Sequence, residues 1–133
     1  MRPRRLEDFA GTWRLEREIE DALGPPARFT GQAVWSEAPG GLMLHESGQM
    51  EIAGQGRFMA ERRYLWAADL SVFFPDGRFF HQVPAAGGPA EHWCDPDHYA
   101  VDYAFDGWPE FRATWSVKGP RKSYRMVSVY RRG

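Results

Sequence analysis

The sequence predicts an all-β fold: one antiparallel barrel of about nine or ten strands, entered through a short N-terminal helical turn. Three observations carry this. Apolar and polar residues alternate with period two along most of the chain. Turns rich in Gly, Pro and Asp interrupt the alternation at short intervals. So many short strands within 133 residues leave edges, and closing the sheet into a barrel hides edges best.

Taken in order, "RPRRLEDF" offers the helical turn. Trp13, Leu15, Arg17 and Ile19 share one face of the first strand. "DALGPPAR", Asp21 to Arg28, is the turn that follows, and Phe29, Gly31, Ala33 and Trp35 share one face of the second strand. The remaining strands are expected in "GLMLHESGQM", "RFMAERRYLWA", "LSVFF", "RFFHQV", "HYAVDYAF", "FRATWSV" and "SYRMVSVYRR". "APGG", "AGQG", "PDG", "FDGWP" and "KGPRK" separate most of them. "PDG", between two Phe-rich runs, and "KGPRK" are hairpin signals. "VPAAGGPAE", Val83 to Glu91, reads as a mobile loop.

The length suits a single domain over 1–133. A hydrophobic content of 43% with 26% charged residues is that of a globular protein rather than a disordered one. The formal net charge of -1 argues against a nucleic-acid partner held by phosphate neutralisation. No apolar run reaches the length of a membrane span, and no secretory signal follows the basic start, so a cytoplasmic location and no membrane partner are expected. One Cys excludes an internal disulfide. Aromatic residues make up 15%, more than a minimal core requires. Such a surplus lines a cavity, forms an oligomer face such as a homodimer's, or fills the barrel.

"FAGTW", Phe9 to Trp13, leads into the first strand as F-x-G-x-W. This resembles the opening of the calycin barrels, the lipocalins and fatty-acid-binding proteins. The resemblance implies that Trp13 packs over the barrel floor and that a basic residue of the last strand, Arg131 or Arg132, lies across it. "FFPDGRFFH", "HWCDPDHYAVDYAF" and "WSVKGPRKSY" resemble the blocks of a bacterial family of domains of unknown function with a calycin-like barrel. That resemblance implies a fold and no activity. The chain has no room for the two-helix lid of fatty-acid-binding proteins, which argues against a long-chain lipid ligand.

The densest polar cluster is "EHWCDPDHYAVDY", Glu91 to Tyr103. His92 and Cys94 point the same way on a strand, with Asp97, His98 or His81 as further ligands if a metal bound there. The spacing matches no recognised metal motif, so no metal, no cofactor and no catalytic residue is assigned. The plainer expectation is a tight turn at Asp95 to Asp97, with Asp97 capping backbone donors, a strand from about His98, and Cys94 as a buried, inert thiol. Tyr99, Val101, Tyr103 and Phe105 form one stripe of that strand.

Arg17 lies on the face of Trp13, and Arg62 on that of Phe58, Tyr64 and Trp66. Charges among core residues point either to a wet cavity in which Arg meets an anionic or carbonyl group, or to a bulge that shifts the alternation and puts these Arg outside. His81 is expected mid-strand on the face of Phe79 and Val83. Lys118, Arg121, Lys122 and Arg125 surround the last turn as solvated charges or an anion patch. The expected function is therefore binding of a small apolar or partly anionic molecule in an aromatic-lined cavity, with Arg17, Arg62, Tyr64, His81, His92, Tyr99 and Tyr103 as contacts. Two alternatives stand beside it. One is a small barrel enzyme using His81 and His92 with Asp97 or Cys94. The other is a protein-interaction module with its aromatics outside.

Overall fold

A computed structural model describes residues 2–132. A single helical turn, α1 (Leu6–Phe9), precedes ten strands: β1 (Gly11–Asp21), β2 (Ala27–Ala38), β3 (Gly41–Ile52), β4 (Gly56–Trp66), β5 (Ser71–Phe73), β6 (Phe79–Gln82), β7 (Gly88–Cys94), β8 (Asp97–Ala104), β9 (Phe111–Lys118) and β10 (Ser123–Arg132). All pairings are antiparallel, in the order β6-β5-β4-β3-β2-β1-β10-β9-β8-β7. The all-β reading holds, and so does the single helical turn. The sheet curls until β6 and β7 face each other, but no ladder joins them, so the barrel is nearly closed rather than closed.

Alternation fixes the interior. Trp13, Leu15 and Arg17 of β1 are buried, as are Phe29, Ala33 and Trp35 of β2. Leu42, Leu44 and Glu46 continue the same face on β3. Gly31 and Gly48 are partners across β2 and β3. A Cβ on either would run into the other strand's backbone, so only glycine lets these strands approach this closely. The Pro39–Gly40 loop joins β2 to β3, with Gly40 at φ +91°, a conformation that favours glycine. "PDG" joins β5 to β6, and "KGPRK" joins β9 to β10.

Two sequence expectations need correction here. The second half of "VPAAGGPAE" is ordered strand, because Gly88 to Glu91 pair with Ala100 to Tyr103 of β8. His81 does not share a face with Phe79. Val72 pairs with His81 and Phe73 with Phe79, so Phe80 is an extra residue, a bulge. The bulge turns both Phe80 and His81 inward and leaves Phe79 exposed.

One end of the barrel is sealed by rings. Phe9 touches Trp35, Trp66, Phe105, Trp108 and Phe111 at centroid distances from 5.1 to 6.0 Å. The Trp13 indole N–H donates to the Phe9 carbonyl at 2.8 Å, which ties the helical turn to β1. Between the two arginines the sequence left open, Arg132 is the one that covers Trp13, with its guanidinium 4.0 Å from the ring centroid.

Candidate functional site

Beyond that seal the barrel holds a cavity of about 270 Å³. Its wall is mostly aromatic. Phe80, delivered by the bulge, stacks on Phe74 at 4.6 Å and on Trp115 at 5.2 Å, and lies 5.8 Å from Tyr64. All seven residues singled out in the sequence line it: Arg17, Arg62, Tyr64, His81, His92, Tyr99 and Tyr103. They arrive from five strands: Arg17 from β1, Arg62 and Tyr64 from β4, His81 from β6, His92 from β7, and Tyr99 and Tyr103 from β8, with Tyr99 paired opposite His92. Arg62 is exposed at the mouth, whereas Arg17, His81 and Tyr103 are buried.

The deep polar group is a network. The Arg17 Nη2 donates to Glu46 Oε1 at 3.0 Å, and its Nε donates to the Ser128 hydroxyl at 2.7 Å. The Tyr130 hydroxyl donates to Glu46 Oε2 at 2.6 Å. Burial opposes the charge on Arg17, yet the Glu46 carboxylate beside it outweighs burial and holds the guanidinium above its ordinary range. Burial likewise opposes ionisation of Glu46, and Arg17 with the Tyr130 hydroxyl pulls its carboxyl below the ordinary range. The Arg17 charge is thus compensated inside the protein by Glu46.

His81 is the second buried polar group. Its Nε2 lies 2.9 Å from the Tyr103 hydroxyl, and its Nδ1 has no hydrogen-bond partner. Burial, and then the neighbouring His92, push its pKa down to about 3, so the imidazole is neutral near pH 7. Burial holds the Tyr103 phenol up, and Glu46 adds to this. His92 is half-buried, and burial followed by the Arg78 charge lowers its pKa.

The Glu91–Tyr103 stretch forms the β7–β8 hairpin. Its turn is Asp95–Pro96, joined by a cis peptide bond, and β8 starts at Asp97. Asp97 does not cap the turn. It pairs with Lys122 at 3.1 Å, and Lys122 also donates to the Tyr99 hydroxyl at 3.2 Å. Cys94 is exposed at the cavity lip rather than buried, because a hairpin end leaves its inward residue uncovered. Among the described residues, no three His, Cys, Asp or Glu side chains come together as a metal site.

The model of a family of unknown function, DUF6314, matches residues 9–132. The chain belongs to this family. Among solved structures, the DUF6314 chain is similar to the S-type phycobiliprotein lyase CPES from Guillardia theta, with a TM-score of 0.62 over 96% of this chain and 90% of that one. Identity is 10%, so the likeness is one of fold. No curated protein matches the DUF6314 chain in sequence.

Sequence reasoning missed Glu46, Ser128 and Tyr130. Glu46 carried a usable signal: it stands two residues after Leu44, on the inward parity of a strand whose other inward residues are apolar. Phe80 carried none, since the bulge that turns it inward has no marker in "RFFHQV".

Proposed function

We propose that this protein binds a small, flat, largely apolar molecule in the barrel, with Arg17, Arg62, Tyr64, His81, His92, Tyr99 and Tyr103 as contacts, Arg17 in its ion pair with Glu46. The single observation that carries this reading is the 270 Å³ cavity walled by stacked rings, with Arg17, Glu46, His81 and tyrosine hydroxyls as polar groups among them. Its size supports a ligand of about two fused rings, because an apolar cavity of roughly 150 Å³ takes a benzene. The exposed Arg62 at the mouth suits a partly anionic ligand. That a phycobiliprotein lyase shares the barrel fold is consistent with a small-molecule role. Among the described residues, no nucleophile, base and oxyanion donors converge in favour of the enzyme reading.

The test is native mass spectrometry of freshly purified protein, followed by substitution. A retained small molecule is expected. His92→Ala and Tyr103→Phe should each weaken it by about 1–3 kcal/mol, while Cys94→Ser leaves it nearly unchanged. Loss of a measurable activity in Cys94→Ser alone would replace the binding reading with a cysteine enzyme.

A further inference from the structure

The Arg17–Glu46–Tyr130–Ser128 network has unused bonding capacity. A guanidinium carries five N–H donors. Nε serves Ser128, and Nη2 serves Glu46 at 3.0 Å with the Tyr130 oxygen at 3.4 Å. Nη1 makes no hydrogen bond with any described residue. The Glu46 carboxylate offers about four lone-pair sites. Arg17 takes one and Tyr130 another. Both side chains are almost fully enclosed, at 6% and 3% exposure, and both border the cavity. The deep end of an aromatic cavity therefore presents donors and acceptors side by side, on a pair whose charges cancel.

Three kinds of ligand end meet this floor differently. A hydrocarbon end that fills the cavity displaces water from the Nη1 donors and offers them no acceptor, which is costly. A carboxylate satisfies those donors but stands against the Glu46 charge, with Arg17 already compensated. A neutral group carrying a carbonyl beside an N–H does neither harm. Its oxygen accepts from Arg17 Nη1 while its N–H donates to Glu46. Resting on the cavity-binding reading above, we infer that the floor selects a lactam edge, a ring carbonyl adjacent to a ring N–H, on a flat ligand of about two fused rings. Phe80, Trp115 and Tyr64, stacked on one another, form the aromatic wall against which the rings would lie.

Isothermal titration of four bicyclic probes tests this: 2-quinolinone, quinoline, naphthalene and 2-naphthoate. Each is run on the wild type and on Arg62→Gln, so that an anion held at the mouth is told apart from one at the floor. The expected result is 2-quinolinone at least about tenfold tighter than the other three in Arg62→Gln, the fold-change of one well-made buried hydrogen bond. Glu46→Gln, which strips the compensating charge from Arg17, should reverse the order in favour of 2-naphthoate. A purely structural Glu46 would not produce that reversal, and the unsubstituted floor decides the matter if Glu46→Gln does not fold. Equal binding of naphthalene and 2-quinolinone overturns the inference, as does 2-naphthoate binding tightest in Arg62→Gln, or no binding by any probe. A molecule retained in native mass spectrometry would leave the cavity reading standing in each of those cases.

Discussion

At the scale of single residues, His81 shows how burial converts a common side chain into a stability switch. Its pKa is about 3 in the folded chain and near 6.5 when unfolded. Between those values the unfolded chain binds a proton that the folded one refuses. Stability is therefore complete above about pH 6.5 and falls as pH drops toward 3, at up to about 1.4 kcal/mol per pH unit. His92, whose pKa is also lowered, adds to the loss in the same direction. Glu46 acts in a different window: its depressed pKa gives stability that is present above about 4.5 and lost below it. Denaturant titration should show a decline that starts between pH 6.5 and 4.5. His81→Asn should flatten that part of the profile and leave the acid limb below pH 4.5. A wild-type profile flat from pH 7 to 4.5 would mean that His81 is not buried as described.

At the scale of elements, α1 and β1 are joined by one residue. Trp13 is fully buried, donates to Phe9 and is covered by Arg132. It links the helical turn, the first strand and the last strand, which pair as Trp13 with Arg132. Trp13→Ala should cost about 3–5 kcal/mol in a urea titration, because the sealed end cannot collapse around the lost ring. Arg132→Ala should cost far less, since its guanidinium faces solvent on one side. Equal midpoints for Trp13→Ala and the wild type would show that α1 does not depend on this contact. The β5–β6 element behaves differently. Its hairpin turn was legible from "PDG", but its inward face was not, because one bulged residue inverts the parity on which such a reading depends.

At the scale of the whole molecule, the feature that matters is the β6–β7 seam. Every other neighbouring pair of strands shares a ladder. At the seam, Phe80 and His92 meet ring to ring at 5.3 Å, and Phe74 and His92 at 6.3 Å, in place of backbone bonds. Side-chain contacts without a ladder open more easily than paired strands. Amides on the free edges of β6 and β7 should exchange with deuterium well before those of β1 and β10, and a cavity ligand should slow them. Uniform protection around the barrel would contradict an opening at this seam.

The sequence by itself determined the all-β class, most of the strands, most inward stripes and the two hairpin turns, because these depend on neighbours one or two residues away. The seven cavity-lining side chains were legible for the same reason: six of them obey plain alternation. Tertiary structure alone decided what those residues do. Arg17 and Glu46 are 29 residues apart, and Arg17 and Ser128 are 111 apart, so only the curl of the sheet neutralises the one charge with the other. It also decided that Cys94 lies at an uncovered lip, that Asp97 answers to Lys122, and that the barrel stops one ladder short of closure. Alternation states which way a side chain points. Which charge it meets there depends on the distance between strands that are remote in the chain, and that distance is set by the curvature of the whole sheet.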